Sequence, residues 1–489
     1  MERGPGGEVR RGGRLALAFL LLPLLSLAQL TLPAAISQAL EHSAIGQQAA
    51  TDRDISYWSW RGYQANYRPQ LGLSGTIPNF SRVITPVVQP DGTTDFRAVR
   101  INNSVLGLTL SQNIGPTGGQ IIVGSEVQRF DDFNGNTKRY NNQPFTLGLV
   151  QPIGRFNTLR WNRRIEPLRY QESQRLYVEQ RETIAQRVTE LYFDVLLQQV
   201  SAEVAGQNVT ATSELLRVGR ERFALGRLSQ ADLLLLELNV LNAQQAQTQA
   251  RLDAENATVN LQAYTGLFEN GKPTLDVPDD APRPAVLPAV ALEQARQNRS
   301  TTLTFRRRLL EAERDVALAR GSTGFLATLT ANTGYVNQAP NLGATYLNLQ
   351  NQQQVALGFS VPLVDWGRRK SIVKTAQLAR DQEQHNVTQE ERSFEQTVLT
   401  QAAQLAALAE QLQLASRADS LARQRYVIAE AVYRAGRLSL TDLTIAQSGK
   451  DLARRGYIAA LRACWVAHYR LRALTLYDFE RGQLITAVP

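Results

Sequence analysis

The chain repeats itself at a distance of 210 residues, and this narrows its possible folds more than any other feature. Phe223-Ala224-Leu225-Gly226-Arg227-Leu228-Ser229-Gln230-Ala231-Asp232-Leu233 returns as Tyr433-Arg434-Ala435-Gly436-Arg437-Leu438-Ser439-Leu440-Thr441-Asp442-Leu443. The same offset carries Leu147-Gly148-Leu149-Val150-Gln151-Pro152-Ile153 onto Leu357-Gly358-Phe359-Ser360-Val361-Pro362-Leu363. Two kinds of segment thus recur in one register, so a duplicated unit builds most of the molecule.

Around the first pair the apolar residues step by four and three. Ile184, Val188, Leu191, Val195, Ala202, Ala205, Val209 and Leu216 form a heptad seam, and Phe394, Val398, Leu405, Leu408, Leu412, Ala415 and Tyr426 form its counterpart, with Gln401 and Asp419 as polar exceptions. The pattern runs without proline from Leu168 to Phe223 and from Trp366 to Tyr433. At 1.5 Å per residue the second rod is on the order of 100 Å long, more than one globular core can cover, so such rods must pack side by side. Past each rod a second heptad stretch follows. Gly226 and Gly436 suit the left-handed residue that closes a helix, and Ser229 and Ser439 suit the N-cap that opens the next. Each half is therefore an expected antiparallel helical hairpin with a tight tip, at 225–229 and 435–439.

Other segments have period two. Leu71, Leu73 and Ile77 alternate with Gln70, Gly72, Ser74 and Thr76, and Val355, Leu357 and Phe359 alternate with Ala356, Gly358 and Ser360. Phe145 to Leu149 and Phe325 to Ala331 read the same way. Apolar on one face and Gly, Ser, Thr or Gln on the other suits a strand between lipid and water, and it suits a half-buried soluble sheet equally. Two further alternating runs, Val105 to Gln112 and Ile121 to Arg129, place an extra hairpin at 103–130 inside an insert from 78 to 144. It either adds two wall strands or extends into the medium.

The expected organisation is a leader at 1–28 and a first repeat at 29–267, with strands near 69–78 and 143–153 and a helical hairpin at 157–267. A Pro-, Asp- and Gly-rich linker follows at 268–290. A second repeat at 291–478 has strands near 324–336 and 353–363 and a hairpin at 366–477, and a tail covers 479–489. The leader has Arg10, Arg11 and Arg14 before an apolar run, Leu15 to Leu25, and Ser26-Leu27-Ala28 after it. That is the pattern of a cleaved secretory signal, with a retained anchor as the alternative.

Composition removes several functions. A single cysteine, Cys464, allows no intramolecular disulfide, and its place on an apolar seam makes it a core residue. The net charge of +9 is spread over helix faces without interleaved aromatics, so no nucleic-acid partner is expected. His42, His385 and His468 stand apart from one another and from the cysteine, and no phosphate-binding glycine loop is present. No metal, cofactor or catalytic residue is expected. Asp232 and Asp442 are the carboxylates of interest. Each falls in the first turn of a returning helix, where it favours the helix dipole, and in an oligomer each would also form a charged ring at the mouth of a tube.

The opening Leu30-Thr31-Leu32-Pro33-Ala34-Ala35-Ile36-Ser37-Gln38-Ala39-Leu40, the junctions around Pro152 and Pro362, and the two tips together resemble the TolC-like outer membrane factor family of Gram-negative bacteria. The resemblance implies an α+β membrane protein. Its duplicated unit gives strands to a transmembrane β-barrel and long coiled-coil hairpins to a periplasmic α-barrel, both closed by trimerisation. It implies a passive exit duct for efflux or type I secretion, in the outer membrane and its lipid. The partners would be a periplasmic adaptor and an inner-membrane pump of RND, ABC or MFS type. By position, Gly226, Arg227, Leu228, Ser229, Gly436, Arg437, Leu438 and Ser439 would dock the adaptor. Asp442, Asp232 and Tyr433 would lie at the periplasmic entrance, with Asp232 linking neighbouring hairpins. Ile445 stands where the family's best-known member has a second carboxylate, so a double acidic ring is not expected. An adaptor subunit or a purely structural coiled-coil protein are the rival readings; the first has one hairpin, and the second leaves the alternating strands unexplained.

Overall fold

The computed structural model describes residues 30–267, 275–278, 282 and 286–486; the expected leader and much of the linker lie outside the described residues. The duplication is reproduced in the helices. α3 (Thr158–Ala224) and α7 (Arg368–Arg434) each have 67 residues, and the returning helices α4 (Gln230–Thr265) and α8 (Leu440–Thr475) each have 36. Every boundary of one pair lies 210 residues from its counterpart. At 1.5 Å per residue, each long helix extends about 100 Å. α3 starts ten residues before the proline-free run does, because it passes through Pro167 near its N-terminus. A shorter helical pair precedes the strands of each half: α1 (Leu32–His42) and α2 (Ala44–Ala65) in the first, α5 (Pro288–Asn298) and α6 (Ser300–Ser322) in the second. No described helix is long and apolar enough to cross a membrane.

The seams bury as their period requires. Ile184, Val188, Leu191 and Val195 are buried, as are Val398, Leu405 and Leu412, and Cys464 lies wholly inside the same cluster. The polar exceptions Gln401 and Asp419 are buried too. Midway along the helices the linker is more than a spacer: Leu275 bridges Leu30, and the Tyr192 hydroxyl lies 2.8 Å from the Leu30 carbonyl and 2.6 Å from that of Asp276. Burial raises the Tyr192 hydroxyl above the usual phenol range, so it remains a donor at this crossing. Nearby, Arg472 of α8 pairs with Glu182 of α3 at 2.9 Å and with Asp478 at 3.1 Å. The C-terminal tail turns back as a two-stranded ribbon, β8 (Tyr477–Asp478) with β9 (Gln483–Leu484).

At the other end of the molecule lies one antiparallel sheet. It holds β1 (Gln70–Thr76), β2 (Phe80–Val88), β3 (Thr94–Ile114), β4 (Gly119–Asp132), β5 (Thr137–Ile153), β6 (Leu326–Ala339) and β7 (Gln350–Ser360), in the order β1-β3-β4-β5-β6-β7, with β2 beside β3. The pairing aligns the apolar rows: Leu147 faces Val123, Leu329 faces Leu357, and Ala327 faces Phe359. The opposite face carries Thr146, Gly148, Thr330, Asn332, Ala356 and Gly358 in the alternate positions. Outside apolar, inside polar, with about ten residues per strand at membrane depth, is the pattern of a transmembrane barrel wall.

The insert differs from the sequence expectation in two ways. It holds β2 as well as a hairpin, and β3 is 21 residues long. The hairpin β4–β5, and not a pair made of residues 69–78 and 143–153, is the counterpart of β6–β7, since each is a direct hairpin leading into a 67-residue helix. The extra elements of the first half are therefore β1 to β3.

Candidate functional site

The two tips are built alike. α3 closes on Gly226 at φ 71°, with the Gly226 N–H donating to Phe223 O at 2.9 Å and the Arg227 N–H to Arg222 O at 2.9 Å. α7 closes on Gly436 at φ 75°, with Gly436 N–H to Tyr433 O at 2.9 Å and Arg437 N–H to Val432 O at 3.1 Å. Both are Schellman closures, which need a residue without a Cβ at the left-handed position. Ser229 and Ser439 then open the returning helices. Each serine hydroxyl accepts the N–H three residues on, from Asp232 or Asp442, at 3.1 Å. Each also donates to the carboxylate of that aspartate, at 2.7 Å and 2.6 Å. Arg227 and Arg437 are left exposed on the turn. Leu228 turns inward toward Gly219 and the buried Leu236.

Asp232 and Asp442 thus sit in local capping pairs. Among the described residues Asp232 makes no link to the other hairpin; a polar link between the hairpins lies back along α3, about four to five turns from the tip. The Asn208 amide donates to Asp451 of α8 at 2.6 Å, and Gln447 donates back to the Asn208 carbonyl oxygen at 2.6 Å. Beside it the buried Asp419 of α7 takes Arg423 at 2.8 Å and Arg454 of α8 at 3.5 Å, and Lys450 lies 4.4 Å from the centre of the Tyr426 ring. Tyr433 is buried at the second tip, with Arg222 of the first hairpin over its ring at 5.7 Å. Ile445 is exposed one turn beyond Asp442. Asn208, Gln447, Asp451 and Arg454 are not legible in the heptads, because they flank the seams. Asp419, a polar residue on an apolar seam, is the one local sign of this layer.

At the sheet end, Pro152 lies within β5 opposite Thr328, and Gly154 at φ 72° turns the chain into α3, which Asn157 caps by accepting the Arg160 N–H at 3.0 Å. The second junction is wider. Pro362 ends the strand and Asp365 accepts the N–H groups of Gly367 and Arg369, both at 3.0 Å, which holds its carboxyl below the usual range. Leu363 and Trp366 project there almost fully exposed, at 91% and 96%.

The family model for the outer membrane efflux protein matches residues 117–267 and 291–475, both repeats. Among solved structures, the CmeC outer membrane channel of Campylobacter jejuni superposes with a TM-score of 0.66 at 16% identity, over 94% of this chain and 87% of that one. VceC of Vibrio cholerae gives 0.62 at 14% identity over 91% and 96%, and the MtrE outer membrane channel of Neisseria gonorrhoeae 0.58 at 16% over 91% and 88%. No curated protein sequence matches significantly. The adaptor reading fails against two hairpins and a continuous strand wall, and the structural coiled-coil reading against the wall alone. The chain belongs to the outer membrane efflux protein family, whose trimers form an efflux duct from periplasm to cell exterior and work with a periplasmic adaptor and an inner-membrane pump.

Proposed function

We propose that the two tips are the adaptor-docking surface of this duct and that the polar layer between the hairpins latches its periplasmic entrance. The observation that carries the docking reading is the identity of the tips. Two copies of one turn, each presenting an exposed arginine and a serine cap, give a trimer six equivalent contacts around its end. Arg227→Glu with Arg437→Glu should abolish cross-linking to the cognate adaptor and leave the trimer intact; cross-linking at wild-type yield would remove the tips from docking.

The latch reading rests on Asn208, Gln447 and Asp451, a polar bridge between α3 and α8 on the tip side of the molecule's middle. Opening requires the second hairpin to swing away from the first, and this bridge must then break. Hydrogen bonds to charged groups contribute about 1.5–3 kcal/mol, so their loss should raise the open population on the order of tenfold or more. Three Asp442 carboxylates near the mouth would favour cations. Asp442→Ala should then lower cation selectivity in planar bilayers, and unchanged selectivity would remove the ring from the mechanism. At the opposite end, Leu363, Val364 and Trp366 lie where the wall meets the helices, and we assign them to the lipid interface on the periplasmic side.

A further inference from the structure

We infer that three copies of this chain close a barrel of eighteen strands, one third of them supplied by a hairpin that only the first repeat carries. The inference rests on the reading of the chain as an outer membrane duct. In the second repeat α6 reaches β6 through residues 323–325, whereas in the first α2 reaches β4 through residues 66–118. That surplus holds β1, β2 and β3. β1 and β2 lie end to end along β3, from Gln70 opposite Ser111 to Val88 opposite Thr94, so the surplus is one hairpin and the chain spans six strand positions.

Three observations put this hairpin in the wall and not beside it. First, it is hydrogen-bonded into the sheet, with β3 paired to β4 without a break from Ile114–Gly119 to Ile101–Asp132. Second, its alternation is in phase with the rest. Leu71 and Leu73 face Leu110 and Leu108, and Leu110 faces Val123, on the face that also carries Leu147 and Leu357; Gly72, Ser74, Thr109 and Ser111 lie on the polar face. A hairpin in water has no reason to keep a lipid-facing row in register with its neighbours. Third, the insert adds an even number of strands, so the directions still alternate, and β1 of one copy meets β7 of the next antiparallel. Both are free edges, with all seven residues of β1 and all eleven of β7 exposed. A second copy satisfies both, and closure of the ring leaves no edge.

The consequence is a wider exit. With strands about 4.8 Å apart and tilted about 40°, eighteen strands enclose a backbone radius of about 18 Å; twelve, which three chains would give without the insert, enclose about 12 Å. Side chains take roughly 5–6 Å from each, leaving openings of about 12 Å and about 7 Å in radius.

The test is a strand count and an exclusion measurement on the same protein. The full chain is reconstituted in lipid nanodiscs for cryo-electron microscopy, and in planar bilayers with poly(ethylene glycol) fractions added on the barrel side. Eighteen strands in the wall, with polymers of hydrodynamic radius about 9–10 Å entering and lowering the conductance, is the expected result. Twelve wall strands with residues 70–114 outside the ring would overturn the inference and leave the duct reading standing; a chain that forms no membrane trimer would overturn both. A variant in which Thr323-Gly324-Phe325 replaces residues 66–118 should exclude those polymers. The strand count on the full chain decides the question should the variant not assemble.

Discussion

Leu147 and Thr330 sit on adjacent strands and opposite faces of the wall, and an arginine at each separates a membrane barrel from a soluble sheet. Leu147 is the middle of the β5 row Phe145, Leu147 and Leu149, between Val123 and Thr333 on its neighbours. Thr330 stands between Val150 and Ala356 on the polar face. Arginine on the lipid face at mid-depth costs about 2–4 kcal/mol, so a trimer with three copies of Leu147→Arg loses roughly 6–12 kcal/mol. Thr330→Arg puts the same charge into a watered lumen, where the cost is near zero and the effect falls on ion selectivity. The assay is urea unfolding of the trimer in lipid vesicles, followed by the heat-modifiable band on unheated gels, with selectivity measured in planar bilayers. Leu147→Arg should shift the midpoint well below wild type, and Thr330→Arg should leave it within about 1 kcal/mol and move the reversal potential toward anion preference. Equal losses from the two variants, or a loss from Thr330→Arg alone, would refute the assignment of faces.

Other expectations follow from the tips, the latch and the buried histidine. Gly436→Ala forces a Cβ onto a residue at φ 75°, which should cost about 1–2 kcal/mol and lower the thermal stability of the second hairpin, measured by amide exchange at the tip; unchanged protection would mean that the closure is not strained. Ser439→Ala removes both cap contacts and should cost about 1 kcal/mol by the same readout, while Ser439→Asn retains most of it. Asp451→Ala should raise the open probability of single channels about tenfold, and a channel as closed as wild type would eliminate the latch. His468 is buried beside Trp465 and Tyr469, and burial, with Arg472 adding to it, pushes its pKa down to about 4. Below the usual value of about 6.5 the unfolded chain takes up a proton that the folded one refuses, so stability falls as pH drops from about 6.5 to about 4, by at most about 3 kcal/mol per chain. His468→Phe should flatten that part of the pH profile of unfolding; an unaltered profile would assign the acid sensitivity elsewhere.

The helices were legible in the sequence because their signals are local and doubled. Gly226 and Ser229, with Gly436 and Ser439, punctuate two heptad runs in the same way, and chance does not place such a set twice at one offset. The faces of the wall were legible for the same reason: period two survives in Val355, Leu357 and Phe359 without knowledge of any neighbour. The match of β5 to β7 was legible at the 210-residue offset, and the match of β4 to β6 was not. The turn after β4 spans 133–136 and the one after β6 spans 340–349, so β4 and β6 do not align at 210, and the cleaner alternation at 71–77 is the stronger local signal. The cross-hairpin layer was hidden for a different reason. Asn208 and Asp451 are 243 residues apart and off the apolar seams, and a polar pair of that separation leaves no periodic trace. Asp419 alone stands out in the sequence, because an acid on an apolar seam breaks a local rule.

Everything above depends on this chain forming a trimeric duct through the outer membrane. Separation of cell envelopes on a sucrose gradient, with the fractions run unheated on a denaturing gel, tests it directly. A trimer-sized band in the outer membrane fraction that collapses to monomer only on boiling is the expected result. A soluble periplasmic species, or a monomer in the inner membrane fraction, would contradict it.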